Sequence, residues 1–325
     1  MKDGALRQLY KPTQSNVPAL LWNLSAFGFA IASLATGWPT AHPLWLAAII
    51  VGLAYTQHCW TIIFHEDAHY SLYQAKWHNR FNGNIVGTLM FIPFDIFRNV
   101  HMRHHAQMNS PNDWEVWPYA DPTTTLRFRR VFLVFDILFG AWVDPYIYNR
   151  IFFVKDSPIR DPKLRRTILK QFLLIAVFWG TVLGLVTYFH WWPKFLVVYV
   201  IPAWLTGMIQ TTRKLIEHLG LPAGDPMGGA RTILPKNWLG KMAGWTSFHI
   251  EAHGLHHAYP QMPHNHLEKA MELTETSSPD LIFPNYWRAF LHTLPHFRHP
   301  GIGENVTRLT PTPVGPALAG NAMQN

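Results

Sequence analysis

Thiol chemistry is almost absent from this 325-residue chain: Cys59 is its single cysteine. One thiol closes no internal disulfide, and it cannot supply an all-cysteine zinc site or iron–sulfur cluster. Charge is scarce too, with Asp, Glu, Lys and Arg making up only 14% of the residues, whereas Trp and Phe number 15 and 21. A mean hydropathy near zero conceals strong segregation, because long apolar runs alternate with basic, histidine-rich stretches. That pattern fits a polytopic membrane protein better than a globular enzyme. No cleavable leader is expected, because polar residues run to Asn16 before any apolar core starts.

Four apolar runs have the length of a membrane-crossing helix, for which about 20 residues suffice. They cover 17–38, 44–64, 169–190 and 195–211, paired by tight turns at Thr40-Ala41-His42-Pro43 and Trp191-Trp192-Pro193-Lys194. The run from Phe81 to Phe97 is short and broken by Gly83, Gly87 and Pro93, which predicts a buried or interfacial segment. Phe132 to Tyr148, in a basic and aromatic region, is expected to lie along the membrane surface. The expectation is an all-α integral membrane protein of one domain: four transmembrane helices in two hairpins, a cap from 65–168 and 212–310, and a disordered tail over 311–325. Charge tests this arrangement. Of the two far-side turns, only Trp191–Lys194 carries a cation, Lys194, and every other Lys and Arg falls with the termini and the cap. The positive-inside rule makes that side cytoplasmic. The net charge of +8 is then accounted for by topology and anionic lipid, and no groove-reading motif points to nucleic acid.

Histidine is concentrated in three places. His253-x-x-His256-His257 repeats the spacing of His101-x-x-His104-His105, and His65-x-x-x-His69 precedes both. On a helix, residues three and four apart share a face, so each cluster aims its rings at one place. The topology brings all three to one membrane boundary, and eight imidazoles there are too many for one ordinary metal ion. Imidazole suits iron, zinc and copper alike, so ligand type does not choose the metal. His218, just beyond the fourth span, is a candidate ninth ligand. His249 lies four before His253, but a structural or supporting role suits it at least as well, and His264 and His266 are read as loop supports. His42, His58, His78, His190, His292, His296 and His299 are read as surface or interfacial residues. Arg213 and Glu217 are read as an ion pair on a solvated helix face. His65-Glu66-Asp67-Ala68-His69 also matches the zinc metalloprotease motif, a reading that leaves both His-x-x-His-His clusters unused. Glu66-x-x-His69 resembles half of a carboxylate di-iron motif, but no second copy supplies the other half.

Taken together, the three clusters resemble the histidine boxes of the membrane fatty acid desaturase and hydroxylase superfamily. The stretch His256-His257-Ala258-Tyr259-Pro260-Gln261-Met262-Pro263 is similar to that family's third box, with Ala258 where leucine is usual. Asn112-Asp113-Trp114-Glu115 resembles an acidic stretch that follows the second box in many members. The resemblance implies a four-span fold with a cytoplasmic cap and two non-haem iron ions held by His65, His69, His101, His104, His105, His253, His256 and His257, with His218 matching an additional family histidine by position. Lys214 stands where some members carry an asparagine that holds a water on one iron.

What the resemblance implies chemically is activation of dioxygen and removal of hydrogen from an unactivated C–H bond of a fatty acyl or similar alkyl chain. Desaturation is the leading expectation; hydroxylation, or oxidative decarboxylation to a terminal alkene, shares the same centre. A membrane zinc protease and a bis-histidine haem carrier are the readings from other classes. An apolar substrate channel is expected, and Trp60, Phe64, Phe94, Trp245 and Phe248 are candidates for its walls that plain packing explains equally well. No cysteine cluster and no His-Pro-Gly-Gly haem motif of a fused cytochrome b5 is present, so a separate ferredoxin, rubredoxin or cytochrome b5-type donor is expected to bring electrons, for which the basic surface could serve as a dock.

Overall fold

A run such as Pro43-Leu-Trp-Leu-Ala-Ala-Ile-Ile offers the backbone no polar partner but itself, and it forms a helix. The computed structural model describes residues 5, 6, 8, 9, 16–36, 42–274 and 278–306, and it is built almost wholly of such helices. Helix α1 (Asn16–Thr36) leads to α2 (Pro43–His69). Pro43 starts α2, where a missing N–H costs nothing, and the His42 ring accepts the Leu44 N–H at 3.3 Å. Tyr70 ends it in the left-handed region with φ 59°. The two halves of α2 differ. Leu44, Trp45 and Val51 are exposed apolar residues, whereas all but Tyr55 and Trp60 are buried from Leu53 to His69. One helix thus serves an apolar surround at its start and the cap interior at its end.

Helices α3 (Lys76–Leu89) and α4 (Phe94–Ala106) follow. The expected break within 81–97 falls at 90–93, where Phe91 has φ 59° and the Ile92 N–H returns to the Gly87 carbonyl at 2.9 Å. A Cβ on Gly87 would lie 2.4 Å from the Ile92 oxygen, so the tight turn needs glycine there. The buried core beneath these helices centres on Phe64, stacked on Phe97 at 4.3 Å and edge-on to Phe94 at 5.9 Å. Arg80 grips Asp95 through two bonds of 2.9 and 2.8 Å, and Gln171 donates to the same carboxylate at 2.9 Å, joining three helices.

Helix α5 (Leu126–Phe153) is longer than the expected surface stretch 132–148, and it bends at Phe139, whose φ of −129° is not helical. Trp117 lies within 6.0 Å of the Phe128 ring and 6.4 Å of the Tyr146 ring. In a straight helix those two positions would stand about 27 Å apart. Both halves of α5 therefore flank one cap residue. The apex is held against α7 (Trp192–His218) by bare backbone: a Cβ on Gly207 would lie 2.1 Å from the Ala141 nitrogen, and one on Gly140 2.5 Å from the Gly207 oxygen.

Helix α6 (Pro162–Tyr188) begins seven residues before the expected span, because Asp161 caps it by accepting the Lys163 and Leu164 N–H groups. Likewise α7 continues seven residues beyond the expected end at 211, carrying polar side chains into the cap, and contains one π-type turn at Leu196–Val200. Helices α2, α5, α6 and α7, at 27 or 28 residues, are long and apolar enough to cross a membrane, and the fold is that of an all-α membrane protein. The cap is completed by α8 (Trp238–Thr246), α9 (His253–Ala258), α10 (Leu267–Leu273) and α11 (Tyr286–Thr293), with one two-residue parallel pair, Thr232–Ile233 against Ile282–Phe283. Residues 37 and 38 of the first expected span, and the expected tail over 311–325, lie outside the described residues.

Replacing Gly207 by valine should lower stability by at least the about 1–3 kcal/mol of an overpacked core, since only backbone stands in the way. Gly180→Ala in α6, where nothing lies within 4 Å of the added carbon, should leave it unchanged or raised. Thermal unfolding of the two variants in one detergent separates them.

Candidate metal centre

Each histidine cluster owes its direction to the helix that carries it. His65 and His69 close α2, His101, His104 and His105 close α4, His218 ends α7, and His253, His256 and His257 make up half of α9. Their rings gather into two groups. His65, His69, His101, His105 and His256 form one, and His104, His218, His253 and His257 form the other, with the nitrogens of each group within 4.8 Å of one another. All nine are buried except His105, which is partly exposed.

Spacing within each group fits a shared ion. Nε2 to Nε2 is 2.9 Å for His69–His101, 3.1 Å for His101–His105 and 3.2 Å for His105–His256. In the second group, His218–His253 is 2.9 Å and His253–His257 is 3.1 Å. Metal–imidazole bonds of about 2.1 Å set at right angles hold neighbouring nitrogens about 3.0 Å apart. The buried Nε2 of His65 has no hydrogen-bond partner among the described residues. A buried nitrogen without a partner is costly, and a metal ion would satisfy it.

Carboxylates fix three of the rings from behind. His101 Nδ1 donates to Glu115 at 2.9 Å, His104 Nδ1 to Asp113 at 2.7 Å and His65 Nδ1 to Glu66 at 3.1 Å. A proton held on Nδ1 leaves Nε2 with its lone pair, as a ligand needs. Burial pushes the His105, His253, His256 and His257 imidazoles well below their usual value, and neighbouring rings push them further, so these rings are neutral. Burial also acts to lower His104, but Asp113 and Glu115 outweigh it and lift that ring to about 9. Glu115 is held below the carboxylate range: burial opposes this, and His101 and His104 overcome it.

Several readings from sequence change in place. His249 joins neither group; its Nδ1 lies 3.4 Å from Glu251 and its ring is parallel to His264 at 6.0 Å. His264 is buried against Phe248, and His266 Nδ1 donates to the Leu9 carbonyl at 2.6 Å. His58, expected at a surface, is 5% exposed, because it faces inward from the buried half of α2. The Arg213–Glu217 pair is no solvated face: its two bonds, 2.8 and 2.7 Å, are buried, with Tyr286 donating to Glu217 at 3.2 Å. Glu217 approaches His253 Nε2 at 3.6 Å. Lys214 belongs to neither group; it bonds Asp144 at 2.9 Å and lines the small cavity next to the histidines. Both oxygens of Glu66 are engaged, by His65 and by the Ser71 hydroxyl at 2.6 Å, so its partners in space lie on its own helix and just past that helix's end. The ring-orienting roles of Glu66 and Asp113 escaped the sequence reading, although the acidic stretch containing Asp113 signalled the second.

Next to the two groups is a small cavity of about 60 Å³, and beside it an apolar one of about 430 Å³. Thr61, Met90, Asp144 and Gln210 belong to the walls of both, and the Thr61 hydroxyl bridges α2 to α7 by donating to Gln210 at 3.0 Å. Of the expected wall aromatics, Trp60 lines the large cavity and Phe64 the small one, Phe94 and Phe248 pack in the core, and Trp245 is exposed.

An all-α membrane protein with two imidazole groups beside an apolar cavity defines a narrow class. The family model for fatty acid desaturases matches residues 39–288, and the chain belongs to that family. An omega-3 fatty acid desaturase of Ricinus communis chloroplasts is 26% identical over 251 residues, covering 70% of this chain and 52% of that protein. An endoplasmic reticulum omega-3 desaturase of Vigna radiata var. radiata is 25% identical over 276 residues, 77% and 66% of the two chains. An sn-1 acyl-lipid omega-3 desaturase (ferredoxin) of Synechocystis sp. (strain ATCC 27184 / PCC 6803 / Kazusa) is 23% identical over 234 residues, 65% and 62%. The chain thus spans about half to two thirds of the length of these relatives.

Asp113→Asn, which keeps all nine rings, should weaken binding of a divalent ion at the four-imidazole group about 10–100-fold. Chelator competition followed by metal analysis reads this directly, and Asn112→Asp at the neighbouring exposed position should leave it unchanged.

Proposed function

We propose that this protein is a multi-pass membrane oxidoreductase that uses dioxygen to introduce a double bond into a fatty acyl or related alkyl chain. The observation that carries the reading is the pairing of two buried imidazole groups with an apolar cavity that shares the Thr61–Gln210 wall with them. His65, His69, His101, His105 and His256 would hold one iron, and His104, His218, His253 and His257 a second. When bound, the iron pair supplies dioxygen activation and removal of hydrogen from an unactivated C–H bond.

The protein's own residues do the remainder. Glu66, Asp113 and Glu115 keep protons on Nδ1 and aim the rings. Together with Glu217 they place four carboxyl groups around the nine imidazoles, acidic groups that would offset the charge of two divalent cations held by uncharged ring nitrogens. Trp60, Phe91, Trp179 and Tyr199 line the large cavity and would exclude water from an alkyl chain there. Two electrons per turnover would come from a separate carrier; the Synechocystis relative is named for ferredoxin, which favours that class over rubredoxin or cytochrome b5. In the membrane, α1, apolar over Leu20–Ser33, would pair with α2, and α6 with α7, as crossing hairpins. Helix α5, although long and apolar enough to cross, would stay on the cap side because both its halves flank Trp117. A cytoplasmic side for termini and site is what the charge distribution supports.

Lipid profiling of a host lacking the activity, with the chain expressed alone and with a ferredoxin, should show a new double bond that depends on the donor. Hydroxylated chains or terminal alkenes would instead mark the two sibling chemistries, and zinc at one per chain with peptide cleavage would overturn the reading. His218→Ala should reduce bound iron from about two per chain towards one and cut activity at least about 100-fold, since a ligand shell that loses a member loses the metal's function. His256→Ala with full activity would refute the ligand assignment.

A further inference from the structure

Helix α8 carries an apolar face that none of the described residues covers. Trp238 is 68% exposed, Leu239 59%, Met242 55% and Trp245 38%. At 3.6 residues per turn these four fall within an arc of about 120°. Gly244, on the opposite face, is buried, and the C-terminal end of the helix is tied down at Thr246: its hydroxyl pairs with the Tyr55 hydroxyl of α2, and Asn23 of α1 donates to its carbonyl at 3.4 Å. That end of α8 thus lies against two apolar helices. Beside that contact, α1 exposes Leu21 and Leu24, so the apolar surface of α8 is continuous with theirs. Lys236 and Lys241 flank it and are exposed.

From this placement we infer that α8 lies in the plane of the cytoplasmic bilayer surface, with its apolar face embedded among lipid chains and its lysines at the headgroups. Such helices bury their apolar face about 5–10 Å deep. Tyr55 marks the level of α8 on α2, and His65 is ten residues further along, about 15 Å at 1.5 Å per residue. The hydrocarbon edge then crosses α2 about 5–10 Å beyond Tyr55, near Trp60, and the first histidine pair stands about 5–10 Å outside it. The metal centre is accordingly held above the bilayer surface and not at its edge, while the apolar cavity that Trp60 lines straddles that edge. An embedded α8 braces α1 and α2 at this height. The inference rests on α1 and α2 crossing the bilayer, and not on the reaction.

The lone cysteine makes the test direct. In a Cys59→Ala chain, Leu239→Cys or Met242→Cys is labelled with an environment-sensitive fluorophore and the protein is placed in lipid nanodiscs. Lipids brominated near the headgroup should quench the label more than lipids brominated near the chain ends, and aqueous iodide should quench it several-fold less than the same label at Glu304→Cys on the exposed cap. Equal iodide quenching at both positions, as a face for a soluble protein partner would give, overturns the inference, as does strongest quenching by chain-end bromine. A label at Val51→Cys, on the exposed apolar half of α2, separates the two levels of the argument: if no lipid quencher reaches it, the bilayer-crossing reading fails. Metal content and thermal unfolding equal to those of the parent chain show that a labelled variant is folded.

Discussion

Nine imidazoles turned towards two points inside the cap, eight of them buried, are unfavourable until something satisfies their nitrogens, and much of the structure follows from that constraint. Rings whose nitrogens stand about 3 Å apart would drift to other partners if nothing held them. The hold comes from behind, through the bonds of His65, His101 and His104 to Glu66, Glu115 and Asp113. Helices supply the rest of the rigidity: α2 and α7 continue well past the lengths their apolar runs suggest, so that their histidines ride on unbroken backbone and not on loops. Imidazole groups assembled from four helices are only as well positioned as those helices are packed: Phe97, stacked on Phe64, lies against His101, and the Arg80–Asp95–Gln171 tie fixes the start of the helix that carries it.

Much of this was legible in the residues. Histidine spacing alone placed three clusters on helix faces, and apolar runs delivered them to one side of the molecule. His218, singled out because it follows the last apolar run, lies in one imidazole group, whereas His249 lies in neither, its backbone turning into the left-handed region with φ 51° just before α9 begins. Other features depend on contacts that spacing does not encode. The bend of α5, at Phe139, sits beside the place where Gly140 meets Gly207, 67 positions later. The burial of Arg213–Glu217 depends on Tyr286, and that of His58 on which side of α2 faces the bundle. Glu66 looked like a protease base because its neighbours in sequence suit that role, whereas its neighbours in space are His65 and Ser71.

The two cavities and the metal groups meet at a wall shared by α2 and α7, where Thr61 and Gln210 are bonded. Both helices end in histidines only a few residues further on. Any group that parts Thr61 from Gln210 therefore acts close to the ligand-bearing ends of α2 and α7, which gives the apolar cavity a short mechanical connection to the centre.

Because α2 runs unbroken from the level of Thr246 to His69, it works as a ruler as well as a scaffold. One residue added between Tyr55 and His65 would lengthen the rod by about 1.5 Å and swing the first histidine pair round by about 100°. Two full turns would restore the direction of the rings but raise them by about 10 Å, out of reach of their partners on α4 and α9. No insertion there can keep both height and phase. The number of residues between Tyr55 and His65 is thus a structural quantity in its own right, set by geometry in the way that a side chain is set by its contacts.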